Sequence, residues 1–307
     1  MFRYILKRVI MGVITLFILT STTFFLMKTI PGNPFFRENH FPSPEVVAQM
    51  NAKYGLDKSL PEQYMIYLNN VLQGDFGVSL ARRGYKVSDI LLKSAPTTIR
   101  LGLIAAVYAL IVGITLGLLA ALSRKRWINY IVTVYVTLGV SIPNFLLALL
   151  LIIVFCVNLK WFPLIGLKTP LNYVLPTIAL SFYPVSMITR LTRSAMSDVR
   201  KKDYMTLAKS KGLSQFQVIV KHGLKNALLP VVTYAGPMVA FLMTGSFVIE
   251  NLFTIAGSGA EMVSAVNNRD YSMIMGLTIM VGCLIVIFNI LSDIVNAFID
   301  PRIKLTK

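Results

Sequence analysis

Acidic residues are scarce in this chain of 307 residues, with 13 Asp and Glu against 30 Lys and Arg, and only 14% of all positions are charged. A soluble domain carries roughly 25% charged residues. With 55% hydrophobic residues and a mean hydropathy of +0.68, the composition excludes a large soluble core. Cysteine is nearly missing. Cys156 and Cys283 both sit inside apolar runs and read as small buried hydrophobes, which leaves no disulfide framework and no Cys-based metal site. Histidine is equally rare, at His40 and His222. No G-x-x-x-x-G-K-[ST] is present, so the chain holds no ATP by a P-loop, and H-E-x-x-H and G-x-S-x-G are missing too. Ser258 in Gly257-Ser258-Gly259 has the wrong spacing for a nucleophile elbow. These absences predict no catalytic residue, no metal site and no cofactor in this chain.

Apolar runs fill the space instead. Residues 1–8 carry three positive charges ahead of Val9–Met27. That run is longer than a signal-peptide core, and Lys28-Thr29-Ile30-Pro31-Gly32 follows it in place of a small-residue cleavage site. It is therefore expected to be a retained first membrane helix. Leu101–Leu122 is next, 22 residues, about 33 Å of helix and enough to cross a bilayer. Tyr130–Val157 is interrupted by Pro143 and Asn144. Tyr173–Leu191 holds Pro176 and Pro184, so a kink is expected there, and Leu228–Ile249 holds Pro230 and Pro237. Met273–Ile299 is the last. The expected architecture is an all-α integral membrane protein with six transmembrane helices and both termini on one side.

The basic residues orient it. Arg3, Lys7 and Arg8, the cluster Arg124-Lys125-Arg126, nine Lys and Arg between 190 and 225, and Arg302, Lys304 and Lys307 all fall on the same side. The positive-inside rule makes that side, with both termini, cytoplasmic. The net charge of +17 is thus mostly an orientation signal, and no basic soluble face with interleaved aromatics points to nucleic acid. His40 and His222 then lie on opposite sides. Four segments follow: 1–30, a cytoplasmic start and first span; 31–100, a folded extracytoplasmic helical insertion; 101–299, a five-span core that includes a cytoplasmic loop over 192–228; and 300–307, a cytoplasmic tail. Within the insertion, helices are predicted from Pro44 to Tyr54 behind an N-cap at Ser43, from Pro61 to Gln73 with Tyr64, Leu68 and Val71 on one face and Gly74 as its stop, and from Ser88 to Pro96.

The most structured polar stretch is Asp203–Pro230, DYMTLAKSKGLSQFQVIVKHGLKNALLP. Asp203 is placed to cap a first short helix and Gly212 to break it. Ser214 followed by Gln217 is a capping box that starts a second helix, and Asn226 and Pro230 lead that helix into the next span. A hairpin built this way is expected to be a docking surface, although a lysine-rich linker would satisfy the orientation rule equally well. Three further features carry weaker expectations. Asn289, Asp293 and Asn296 form a polar stripe at i, i+4, i+7 on the last span, which is either a translocation path or an interhelical contact. Asn144 and Tyr183 sit at proline kinks and either shape the same path or are structural. His222 is expected to serve the hairpin rather than any catalysis.

The Asp203–Pro230 stretch resembles the cytoplasmic loop by which ABC-importer permease subunits engage their ATPases, and most of all that of the peptide-permease branch. The matching positions are Tyr204, Ala208, Lys211, Gly212, Leu213, Ser214, Val218, His222, Asn226, Ala227, Leu228, Leu229 and Pro230. Thr206 stands where that loop usually has Glu, and Leu207 where it has a small residue. The resemblance covers nearly the whole chain: Pro31-Gly32-Asn33-Pro34 after the first span, Tyr54-Gly55-Leu56-Asp57 and Gly74-Asp75-Phe76-Gly77-Val78-Ser79 in the insertion, Ser141-Ile142-Pro143, Asn268-Arg269-Asp270-Tyr271, and Asp300-Pro301-Arg302. Ile255-Ala256-Gly257-Ser258-Gly259 departs from it, with Ala and Ser in place of Pro and an apolar residue. The chain is most similar to the first of the branch's two permeases, the oligopeptide-permease B type. The resemblance implies a homologous second permease, two cytoplasmic ATPases that bind ATP and Mg, an extracytoplasmic peptide-binding protein, a peptide substrate and the plasma membrane of a prokaryote. Dipeptides or nickel and other metal chelates remain open as substrates within the family. A channel or scaffold without ATPases remains open from outside it.

Overall fold

The computed structural model describes residues 2–29, 57–82 and 84–299, with Glu45 and Gly55. The helix expected over 44–54, the Pro31–Pro34 motif and the 300–307 tail lie outside the described residues. Among the described residues all regular structure is helical, apart from one isolated bridge between Val78 and Lys86. In chain order the helices are α1 (Phe2–Thr29), α2 (Leu60–Leu72), α3 (Val87–Leu122), α4 (Arg126–Ser141), α5 (Asn144–Leu151, running on as a π-helix over Ile152–Asn158), α6 (Pro170–Val199), α7 (Asp203–Ser210), α8 (Gln215–Ala227, π-helical over Val218–Leu224), α9 (Leu229–Met243), α10 (Phe247–Leu252), α11 (Ser258–Asn267) and α12 (Tyr271–Ile299).

Four helices are long and apolar enough to cross a membrane unaided: α1, α3, α6 and α12. The count reaches six only if two bent pairs each serve as one span, α4 with α5 at 110° and α8 with α9 at 49°. The first bend has a local cause. Pro143 lacks a backbone N–H and drives the preceding Ile142 out of the helical region, to φ −88°, ψ 122°. The interruption read at Pro143 is thus a turn of more than a right angle, not a kink. The next expectation is corrected the other way: no separate helix covers 88–96, because α3 passes through Pro96 without a break and crosses the boundary drawn at residue 100. The carbonyl that Pro96 leaves without its usual donor belongs to Leu92, which is exposed.

Helix α6 is the central post. It buries Asn172, Thr177, Ser181, Ser186, Thr189 and Thr192, together with Leu175, Ala179, Val185 and Ile188. It can approach α3 closely because α3 offers glycine at the crossing. A Cβ on Gly113 would stand 2.7 Å from Ile188, and one on Gly117 would stand 2.5 Å from Thr192. Small residues at such crossings are how helices associate where lipid removes the hydrophobic drive. The loop assigned to 192–228 begins later than expected, since α6 continues to Val199.

Two buried carboxylates tie the end of the bundle away from the α7–α8 hairpin. Asp270, just before α12, accepts hydrogen bonds from the Ser79 hydroxyl, from Leu80 and Ala81 N–H at 3.1 Å, and from Met273 N–H at 3.2 Å. It therefore caps α12 and clasps the segment before α3. Arg82 adds an ion pair to Glu261 on α11 at 2.8 Å. Glu250 on α10 accepts from the Thr98 hydroxyl of α3 at 2.8 Å and from Gly259 and Ala260 N–H at 2.8 and 3.0 Å, at the start of α11. A carboxylate is favoured where a helix N-terminus presents unpaired N–H groups.

Candidate functional site

The site is the hairpin α7–α8. Helix α7 begins at Asp203, but Asp203 is not its cap: the cap position is Lys202, with no side-chain hydrogen bond. Asp203 occupies the first turn, where its charge complements the helix dipole. The break falls where expected. Gly212 has φ +79°, a left-handed conformation that a residue with a Cβ enters at a cost, and it follows the end of α7 directly. The predicted capping box is present on both arms: Gln217 N–H donates to the Ser214 hydroxyl at 3.3 Å, and Ser214 N–H donates to the Gln217 side chain at 3.1 Å. Asn226 then bridges the two helices. Its amide donates to the Tyr204 hydroxyl at 3.1 Å and to the His222 carbonyl at 3.3 Å. His222 itself is exposed on the π-helical part of α8.

The hairpin has a core of its own. Met205, Ala208, Val218 and Ala227 are buried against Met196 and Val199 of α6, with Leu213 and Leu224 packed at the edge and Leu118 and Leu122 of α3 alongside. Arg200 donates to the Ala121 carbonyl at 2.6 Å, pinning the exit of α6 to the end of α3. Ala208 and Leu213 are thus internal to the hairpin. Asp203, Tyr204, Lys211, Gly212, Ser214, His222, Asn226 and Pro230 face outward. Leu207 and Phe216 also face outward, at 57% and 74% exposed. Neither was singled out from the sequence as a contact residue. The available signal was an apolar residue on the polar side of each short helix. The hairpin thus presents a polar, basic rim and an apolar tip, and its core joins it to α3 and α6.

The residues assigned to a path do not gather in one place. Asp293 forms an ion pair with Arg8 of α1 at 3.1 Å, so it belongs to the α1–α12 seam, where an uncompensated charge would be costly. This is the interhelical contact that the stripe allowed as an alternative to a path. Asn289 is half-buried on the same helix, and Asn144 is half-buried at the α4–α5 turn. Tyr183 is different. Between Asn172 and Val199 the only exposed residues of α6 are Tyr183, Arg190, Ser194 and Asp198, and their spacing of 7, 4 and 4 keeps them on one face. The most enclosed helix thus opens on one polar stripe, and three of its four members were not anticipated.

Comparison with known proteins follows this geometry. The family described as "Binding-protein-dependent transport system inner membrane component" matches residues 113–305, and its N-terminal companion matches residues 1–102. The chain is 45% identical over 307 residues to the dipeptide transport system permease protein DppB of Bacillus subtilis, covering 100% of this chain and 99% of that protein. It is 42% identical over 307 residues to the oligopeptide transport system permease protein OppB of Haemophilus influenzae, covering 99% and 100%. Among solved structures it is similar to the MetNI methionine ABC transporter in inward-facing conformations, with TM-score 0.56, 17% identity, and 69% of this chain and 96% of that chain covered. An amino acid ABC transporter gives TM-score 0.53 at 13% identity, with 68% and 94% covered. Both likenesses show the fold.

Proposed function

Because this chain belongs to the family of binding-protein-dependent transport system inner membrane components, as a peptide-permease member of the ABC importers and not an enzyme, we propose that it forms half of a peptide path whose energy arrives through the α7–α8 hairpin. In this reading a homologous second permease completes the path. Two cytoplasmic ATPases, which bind ATP and Mg, hold the hairpins, and an extracytoplasmic binding protein delivers oligopeptides. Both termini and the hairpin face the cytoplasm of a prokaryotic cell, in agreement with the basic residues clustered there.

The carrying observation is the anchoring of the hairpin. Its private apolar core and the Arg200–Ala121 bond join it to the ends of α3 and α6, while Leu207 and Phe216 remain outside for a partner. ATPase closure then moves the hairpin as a rigid body and tilts the helices that carry it. The α6 stripe of Tyr183, Arg190, Ser194 and Asp198 is the stretch we assign to the path. A dipeptide substrate is the second reading, favoured by the 45% identity to a dipeptide permease.

Gly212→Pro tests the mechanism. Proline holds φ near −65°, incompatible with the φ of +79° found here. The variant is expected to insert and to assemble with its partners, while ATP hydrolysis no longer drives uptake. Normal uptake of labelled peptide by that variant overturns the coupling role. Uptake of peptides of graded length, by cells with and without the chain, separates oligopeptide from dipeptide transport.

A further inference from the structure

Helix α2 is only 13 residues long, yet it is held against α1 well inside the end of that span. The Tyr64 hydroxyl is hydrogen-bonded to the Ser21 hydroxyl, and the Tyr64 and Tyr67 rings each lie 5.3 Å from the Phe24 ring. Tyr64 also contacts the Phe25 ring at 5.3 Å, and the Lys28 ammonium donates to the Gln63 side chain. Ser21, Phe24, Phe25 and Lys28 are one face of α1. The spacing from Ser21 to Thr29, the end of the membrane-crossing stretch, is eight residues, or about 12 Å along the axis. Placing the bilayer edge at the end of that stretch puts α2 at the level of one leaflet's headgroups and upper acyl chains.

Its remaining surface divides in two. Glu62, Asn69, Asn70 and Gln73 make one polar arc, with Glu62, Asn69 and Gln73 exposed. Beside the α1-packed face, Pro61, Met65, Leu68 and Leu72 repeat at i, i+4, i+7, i+11 and form one stripe. Met65 is 67% and Leu72 87% exposed. This stripe continues an apolar surface on α1 itself, where Phe25 and Leu26 are exposed at the same level and Phe17 and Ile18 lie deeper. We infer that α2 is an interfacial helix, with the Met65–Leu72 stripe immersed in the lipid of the leaflet at the C-terminal end of α1.

Each part of the pattern fits that occupant. Helices lying in the interface bury an apolar face roughly 5–10 Å into the headgroup and acyl boundary, which is the depth set here by the Ser21 contact. Tyrosines settle where one side is apolar and the other wet, and Tyr64 and Tyr67 stand at that level. The Lys28 ammonium, which donates to Gln63, stands 5.6 Å from the Phe24 ring centroid at the same level. A docking protein would have to enter the bilayer to reach Met65. The helix thus anchors the segment it belongs to onto the membrane, and the inference holds whichever solute is carried.

Depth measurement on the full chain in vesicles of phosphatidylcholine and phosphatidylglycerol tests it. Nitroxide labels are placed at Met65→Cys, Leu72→Cys and, on the opposite side of the helix, Asn70→Cys, in a chain whose Cys156 and Cys283 are replaced by alanine. The expected result is an oxygen-to-nickel-chelate accessibility ratio several-fold higher at 65 and 72 than at 70. A Ser21→Cys, Tyr64→Cys pair that crosslinks in the same background reports that α2 is seated on α1. Aqueous readings at 65 and 72 while that crosslink forms overturn the inference. So does protection that appears only when a binding protein is added, since the stripe would then be a protein-docking surface.

Discussion

Phe216→Ala is the most informative single change. The ring stands 74% exposed at the tip of the hairpin and contributes nothing to its core. An aromatic side chain buries 150–250 Å² when fully covered, so a docked partner would cover about 150 Å² more of Phe216 than the free chain does. At about 25 cal/mol per Å² that is about 4 kcal/mol. Alanine retains part of the contact, which leaves a loss of about 2–3 kcal/mol, or roughly 30- to 150-fold in the affinity of the ATPase for the permease. Met205→Ala is the contrasting change. Met205 is 3% exposed and lies between the hairpin and α6, so its truncation is expected to cost about 2–5 kcal/mol of the chain's own stability. The assay is paired: thermal stability of the purified permease in mild detergent, and the ATPase retained on affinity purification. Phe216→Ala should leave the first unchanged and cut the second, while Met205→Ala should lower the first. Full ATPase retention and full uptake by Phe216→Ala would refute the assignment of the hairpin tip as the docking face.

Three other expectations concern the scaffold. Asp293→Asn removes a partly exposed ion pair with Arg8 and should lower thermal stability by about 1 kcal/mol or less, with uptake preserved; lost uptake in a normally assembled complex would return Asp293 to the path. Glu250→Ala leaves the Thr98 hydroxyl and the Gly259 and Ala260 N–H groups without their acceptor and should cost about 2–5 kcal/mol, measured as a fall in melting temperature, whereas Glu250→Gln keeps an acceptor and should cost less. Glu62 supplies the pH dependence. The Ser59 side chain, and then its backbone N–H, hold the Glu62 carboxyl below the ordinary value of 4.5. Its folded value is the lower one, so the capping contribution is present above pH 4.5 and is lost as pH falls through the folded value. The protection of amides at the start of α2, taken relative to intrinsic exchange at each pH, should therefore fall in acid, and Ser59→Ala, which keeps only the backbone N–H, should weaken that dependence.

What could be read in advance was governed by local chemistry. Gly212 and the Ser214–Gln217 box act through neighbours within three residues, and both are present as expected. The apolar runs located the long helices for the same reason. Long-range partners were beyond reach. Asp293 on a polar stripe is the same in sequence whether it faces a path or Arg8, because its partner lies at the other end of the chain. Asp203 resembled a cap because Asp suits both that position and the first turn. Pro96 resembled a boundary because proline ends most helices, but here α3 continues through it, and Leu92, whose carbonyl loses its usual donor, is exposed. The α6 stripe was hidden since most of the polar residues on that helix are buried, and burial, not polarity, distinguishes Arg190 from Thr189.

The clasp between Ser79 and Asp270 joins residues 191 positions apart. A ribosome adding 5–20 residues per second needs roughly 10–40 s to travel that distance. Throughout that interval the segment before α3 is already across or beside the bilayer, with Leu80 and Ala81 N–H groups still waiting for their acceptor. The last helix to be made is thus the one that locks the first extramembrane segment. Truncation anywhere before α12 should leave that segment protease-sensitive even if every earlier helix has inserted.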